Sequence, residues 1–544
     1  MESISLIFAI FGAILVSGVV VRVIPGVPLP LIQITLGFLL AGVFQEGLTL
    51  NPDIFFLIFL PPLLFLDGWR IPKDALKRDR FGIFHLAFGL VIITVLGLGY
   101  LMHWMIPSMP LPVAFALAAI VSPTDPVAVA GIGRRLAIPS RVMAILEGEA
   151  LFNDASGLVA FRMAVLAMMT GAFSIYSAAT SFLWLAIAGV ITGVTLTWLL
   201  SFFRSQFTKK YGEELGAEIL LSLLIPFAAY AVAEYIEASG ILAAVAAGLT
   251  MSRLELSGAA SPITRMRRNA MWDTIQFTLN GMMFILLGEQ LPGIFQGAVQ
   301  VVEETGHRSP WWLIIYAIVI CIVLAIFRFS WVFLSIHLAR FIRRTPTPLE
   351  NKTSIRDISI LAIGGVRGAV TLAGVLTLPL LLPTKEIFPA RDLAIFLAAT
   401  VIIISLLIAS IGLPLILKGG EKENKMHSPL VKQKHFAINQ AMEAASKQLD
   451  ALLLHQEKND FQLDETEQRA LKARLLLEFE NSFGINHTAE NPSYQHYLTE
   501  RAMRLAIIDA ARTTVYRLAR DNKISDELAR DIGKQLDYDQ IRFN

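Results

Sequence analysis

One cysteine and a shortage of charge are the first constraints this sequence imposes. Cys321, inside the apolar run IIYAIVICIVLAIF, leaves no intrachain disulfide and no partner for a metal site. It reads as a small apolar residue of a helix. Lys, Arg, Asp and Glu make up only 17% of the 544 residues, against 55% hydrophobic residues and a mean hydropathy of +0.60, which excludes an ordinary water-soluble globule. The formal net charge of +2 gives no ground for a nucleic-acid partner; where the charges lie matters more. The N-terminal stretch ISLIFAIFGAILVSGVVVRVIP has neither a positive leader nor a clear small-residue cleavage site. It is expected to be a first spanning helix rather than a removed signal peptide. No nucleophile–base pair and no metal-ligand cluster is evident, so neither an enzyme nor a cofactor is expected.

What the chain does have is long apolar runs, each near the ~20 residues that a spanning helix needs. About thirteen are found between residue 1 and Lys418, after which the composition turns abruptly polar at GGEKENKMHSPLVKQKHF. The expected fold is therefore all-α: a polytopic membrane domain over 1–418 and a soluble helical tail over 419–544. The connections alternate in charge. One set carries clusters such as Arg134, Arg135 and Arg141, or Arg340, Arg343, Arg344, Lys352 and Arg356; the other carries only Arg308, Lys385 and Arg391. By the positive-inside rule the N-terminus lies outside, the tail lies in the cytoplasm, and the number of spans is odd. Segment five reads TDPVAVAGIG and segment twelve VRGAVTLAGV, running in opposite directions at an offset of seven. That is the requirement for an inverted repeat, here two six-helix halves joined by a seventh segment.

Two aspartates in these runs carry most of the chemistry. An ionisable group at membrane depth is a functional-site hypothesis by default. Asp154 lies thirteen residues beyond Arg141, about 20 Å along a helix and so near the bilayer midplane. Glu147 shares its helix face, whereas Glu149 does not. A carboxylate there is at once a ligand, a charge and a titratable group, and it holds either a proton or a cation but seldom both. In segment five, Ser122, Thr124 and Asp125 sit between Pro123 and Pro126, whose rings remove backbone donors and free carbonyls for an ion. Asp125 is expected to cap the half-helix that follows more than to ligate directly. Arg367, about ten residues into segment twelve, needs a carboxylate or several carbonyls, and Glu149 is the expected partner in a structural ion pair. Asp67, at the end of LFLPPLLFLDGW, is read as lining an access funnel or as an interfacial residue. Arg162 is expected to snorkel or pair; Glu234, Gln276 and Asn280 are assigned to helix packing.

SPTDPVAV, GEALFND, GGVRGAVTLA and LFLPPLLFLDGW, in their observed order, resemble the monovalent cation/proton antiporter 1 family over about residues 1–418. The resemblance implies a homodimer of thirteen-span protomers in a bacterial inner membrane, each with a scaffold and a moving core in which segments five and twelve cross. It implies that Asp154 binds Na+ or a proton, that Asn153 is its neighbour, that Thr124 adds a ligand, and that Glu149 pairs with Arg367. Ala150 stands where many members have serine, which removes one hydroxyl ligand. Asn153-Asp154, in place of two adjacent aspartates, resembles the electroneutral branch. The expected activity is exchange of sodium, with lithium, for protons; potassium/proton exchange is the alternative and a cation channel a more distant one. The tail has helical periodicity in FAINQAMEAASKQLDALLLH, RALKARLLLEFE and TERAMRLAIIDAARTTVYRLAR and carries no catalytic motif.

Overall fold

Within hydrocarbon each backbone polar group must be satisfied inside its own segment, so apolar runs of this length fold as helices. The computed structural model describes residues 2–24, 26–44, 52–71, 73–126, 129, 138–171, 175–255, 262–304, 311–342 and 355–417, with 439–447, 449–450, 469–475, 492–520, 532, 535–536 and 538–540 further on. The only β structure among them is one isolated bridge, Leu381 with Ile387. The chain divides into two compact units, Met1–Gly419 and Gly420–Asn544.

In the first unit the elements are α1 Glu2–Val23, α2 Leu29–Val43, α3 Pro52–Arg70 and the short α4 Lys73–Arg78. Segment four runs from α5 Arg80–Phe84 through a π turn at His85–Leu90 into α6 Val91–Met105. Then come α7 Leu111–Val121, α8 Ser140–Thr170, α9 Ile175–Tyr211, α10 Leu215–Tyr235, α11 Gly240–Glu255, α12 Pro262–Glu304 and α13 Trp311–Ile342. Segment twelve is split into α14 Ile355–Ile363 and α15 Ala369–Leu376, and α16 Arg391–Leu417 closes the unit. All the apolar runs thus contain helix, and among the described residues 8 helices are long and apolar enough to cross a membrane by length and composition. Arg134, Arg135, Arg308, Arg343, Arg344 and Lys352, used above for orientation, lie outside the described residues, as does the Ala130-Gly131 end of the repeat comparison.

Two helix pairs approach closely enough to put backbone on backbone. Between α2 and α12, a Cβ added at Gly37 would stand 2.0 Å from the carbonyl of Ile285, and one at Gly288 would stand 2.0 Å from that of Ile34. Between α3 and α11 the same reciprocity recurs: Gly68 meets the Val245 carbonyl at 2.5 Å and Gly248 meets that of Phe65 at 2.1 Å. Small residues that let helices touch along their main chains are the usual packing device within membranes. In the second unit the described helix α17, Pro492–Arg520, carries one of the three periodic stretches of the tail.

Candidate functional site

Proline determines where segment five stops being a helix. After α7 ends at Val121, Ser122 to Asp125 are unwound, because Pro123 cannot donate a backbone hydrogen bond and its ring crowds the preceding turn. The unwound stretch lies against α8 at Gly157, where an added Cβ would meet Pro123 Cγ at 2.4 Å. Segment twelve is likewise open from Gly364 to Gly368. The two breaks cross and bond to each other. The amide of Asp125 donates to the Val366 carbonyl at 2.7 Å, and Arg367 Nε donates to the Val121 carbonyl at 3.0 Å.

That second bond corrects one expectation. Arg367 is spent on carbonyls, Val121 through Nε and Gly365 through Nη1 at 2.5 Å, while its own amide donates to Ser405 Oγ at 3.1 Å. The partner of Glu149 is Arg328, which the sequence reading passed over. Its guanidinium grips the carboxylate with two parallel bonds, Nη1 to Oε1 at 2.5 Å and Nη2 to Oε2 at 2.7 Å, and its Nε donates to the Leu361 carbonyl at 2.9 Å. Glu149 is 0% exposed and Arg328 1%. Such a fork suits a planar guanidinium. Geometry excludes Arg367 from this role because its side chain points into the crossing, where unpaired carbonyls compete for it. The signal was available: Arg328 interrupts AIFRFSW deep in an otherwise apolar helix.

Asp154, Thr124, Asp125 and Asp67 come together around one cavity of about 30 Å³, room for an ion or a water. Leu63, Pro123, Pro126, Gln276, Asn280, Gly368, Val370 and Thr371 complete its lining. Asp154 is 6% exposed, and no hydrogen bond to its carboxylate is found among the described residues. Asn153 is turned away from this space. Its Nδ2 donates to Thr124 Oγ1 at 3.0 Å and to Glu149 Oε1 at 3.4 Å, so it ties the unwound segment to the buried ion pair; its Oδ1 accepts no hydrogen bond. Ala150, one turn before Asp154, is buried and brings no oxygen.

Asp125 faces the break in segment twelve. A Cβ added at Gly368 would stand 1.8 Å from Asp125 Oδ2, and Gly368 is the residue that opens α15. The carboxylate therefore lies at the positive end of the opposing half-helix. The amides of its own half-helix, which it was expected to cap, lie outside the described residues. Gln276 and Asn280, assigned above to packing, line the cavity instead, and Gln276 Oε1 also accepts from Arg70 Nη1 at 2.8 Å. Arg162 pairs with Glu234 at 3.1 Å. Among the described residues no group of three or more His, Cys, Asp or Glu has the arrangement of a metal-ligating cluster.

Comparison with known proteins identifies the family and the fold. The model of the transmembrane sodium/hydrogen exchanger family matches residues 6–419. The chain is 39% identical over 529 residues to an Escherichia coli K12 protein named as an uncharacterized Na+/H+ exchanger, covering 96% of this chain and 95% of that one. It is 43% identical over 432 residues to the sodium, potassium, lithium and rubidium/H+ antiporter of Bacillus pumilus, covering 78% of this chain and 62% of the relative. The sodium proton antiporter structure MjNhaP1 from Methanocaldococcus jannaschii superposes with a TM-score of 0.55 at 19% identity, over 77% of this chain and all of that one, a likeness of fold.

Proposed function

The chain belongs to the sodium/hydrogen exchanger family, and from that premise we propose that it exchanges one monovalent cation for one proton per cycle on the carboxylate of Asp154. It is a multi-pass membrane antiporter rather than an enzyme. The observation that carries the finer reading is that Asp154 faces the cavity with no hydrogen bond to its carboxylate among the described residues, whereas Glu149 on the same helix is neutralised by Arg328. A proton and a cation then compete for one negative charge. Whichever binds, the site carries the same net charge, so both half-cycles move alike across the membrane potential and exchange is electroneutral.

The other residues take supporting roles in this reading. Thr124 Oγ1 adds an oxygen at the cavity wall, and Asn153 holds Thr124 in place. Asp125 compensates the positive end of α15, and Asp67 lines the approach. The paired glycines support an inverted repeat: an offset of seven exchanges segment two with nine and three with ten, which turns the α2–α12 pair into the α11–α3 pair. Thirteen spans, an outside N-terminus, a cytoplasmic tail, a bacterial inner membrane and a homodimer complete the proposal. Its substrates are Na+ and Li+, with K+ as the second reading that the Bacillus relative's name favours. The decisive experiment is proton movement in proteoliposomes on adding each alkali cation in turn. Wild type moves protons, Asp154→Asn moves none, and a wild-type rate in that variant would sink the assignment.

A further inference from the structure

Away from the cavity, the end of α3, the end of α11 and the start of α12 enclose a second polar cluster that transport does not use. Arg268 is 1% exposed, and its guanidinium lies over the Trp69 ring, 5.3 Å from the centroid. One of its nitrogens, Nη2, donates to Glu255, which also accepts from Trp69 Nε1 at 2.7 Å. Its Nε and Nη1 are buried and have no hydrogen-bond partner. Trp272, fully buried one turn further along α12, has an unpartnered Nε1, and its ring meets Trp69 edge-on at 6.4 Å. Residues four apart share a helix face, so these donors are directed to one place. Lys73 Nζ is also buried without a partner, and its amine is pushed below its ordinary value, by burial first and by Arg253 next.

Among the described side chains the charge does not balance. Lys73, Arg253 and Arg268 bring three positive groups and Glu255 one negative, with four N–H-bearing positions left unmet. Folded proteins seldom leave buried donors orphaned, and an unrecorded ion or water is the usual explanation. A neutral water cannot balance the charge; an anion with several acceptor oxygens balances it and takes the donors too. The level matters as well, because tryptophan and arginine at helix ends mark the headgroup zone, and basic pockets between helices there recognise anionic headgroups.

We propose that the crevice formed by Trp69, Lys73, Arg253, Glu255, Arg268 and Trp272 binds a phosphate group, supplied by an anionic phospholipid headgroup or by free inorganic phosphate. The ion is held by Arg268 and Trp272 from below and by Lys73 and Arg253 from the rim, and it joins α3, α11 and α12 where Glu255 already bonds Trp69 and Arg268.

The test uses the purified full chain, stripped of lipid in detergent, with melting temperature read against added phosphatidylglycerol, phosphatidylcholine or inorganic phosphate at constant ionic strength. Saturable stabilisation is expected with phosphatidylglycerol and not with phosphatidylcholine. A comparable response to inorganic phosphate assigns the site to the phosphate alone; its absence assigns it to the lipid. Because Arg268→Gln is liable to fold poorly, the informative variants are Lys73→Gln, Arg253→Gln and Trp272→Phe. Each lost cation weakens the apparent affinity about fivefold, while Lys385→Gln, which removes an exposed positive charge elsewhere, leaves it unchanged. No saturable effect of either anion, or an undiminished one in the Lys73→Gln, Arg253→Gln double variant, overturns the proposal.

Discussion

Arg328→Met removes a guanidinium that has three hydrogen bonds and leaves most of the side-chain volume in place. What remains is Glu149, fully buried, with Asn153 Nδ2 at 3.4 Å as its one other donor among the described residues. Stranding one partner of a buried pair costs about 3–5 kcal/mol, and the Leu361 carbonyl loses a donor worth about 1 kcal/mol. The expected outcome is a markedly lower melting temperature and reduced yield. The cycle is closed with Glu149→Gln and with the double variant, which removes the charge along with its partner and regains a large part of the loss. Melting of the four proteins in detergent, converted to free energies, gives the coupling. Losses that add within about 0.5 kcal/mol would refute a direct Arg328–Glu149 tie, as would a single Arg328→Met variant that melts like wild type. The parallel cycle of Arg367→Met with Glu149→Gln is the control. The two side chains share no hydrogen bond, and near-additivity is expected there.

Asp154→Asn is expected to fold and to lose exchange completely, read as the absence of cation-driven proton flux beside an unchanged melting curve. Gly368→Ala forces a methyl to within 1.8 Å of Asp125 Oδ2, so exchange should fall at least tenfold; a rate within twofold of wild type would show that the crossing can open at no cost. Single-site competition makes the apparent cation affinity weaken about tenfold per pH unit on the acid side of the site's titration, measured as half-saturation concentration against pH. An imposed potassium diffusion potential with valinomycin should leave the sodium-driven rate unchanged, and clear acceleration would mean that a second carboxylate, Asp125 first, also loads a proton.

The membrane class, the helical content, the break in segment five and the choice of Asp154 were legible because each rests on a local rule, whereas Asp67 had two open readings and Asn153, expected beside the ion, is turned to Thr124 and Glu149. Apolar length calls for helix, proline breaks it, and an acid at membrane depth needs a purpose. The pairing of Glu149 was not legible in the same way. Choosing between Arg328 and Arg367 depends on which of two breaks each guanidinium reaches, a matter of how α8, α13 and segment twelve pack. The carbonyls of Val121 and Gly365 that take up Arg367 have no sequence signature, since any residue supplies one. Gln276 and Asn280 illustrate the same limit from the other side. Amides in an apolar helix serve packing or a cavity equally well, and only the approach of α12 to Asp67 and Asp154 assigns them to the wall.

The two stitches at the crossing, the main-chain bond from Asp125 N to Val366 O and the side-chain bond from Arg367 Nε to Val121 O, bear on thermodynamics as well as on shape. They fasten both broken segments together, so the oxygens that these two segments bring to the cavity form one cup. A cup that does not change shape binds its ion with the same intrinsic strength whether it opens to one side of the membrane or the other. Such a carrier has no built-in preference of direction. It runs forward or backward as the two ion gradients dictate, and any one-way behaviour in the cell has to be imposed from outside the cup.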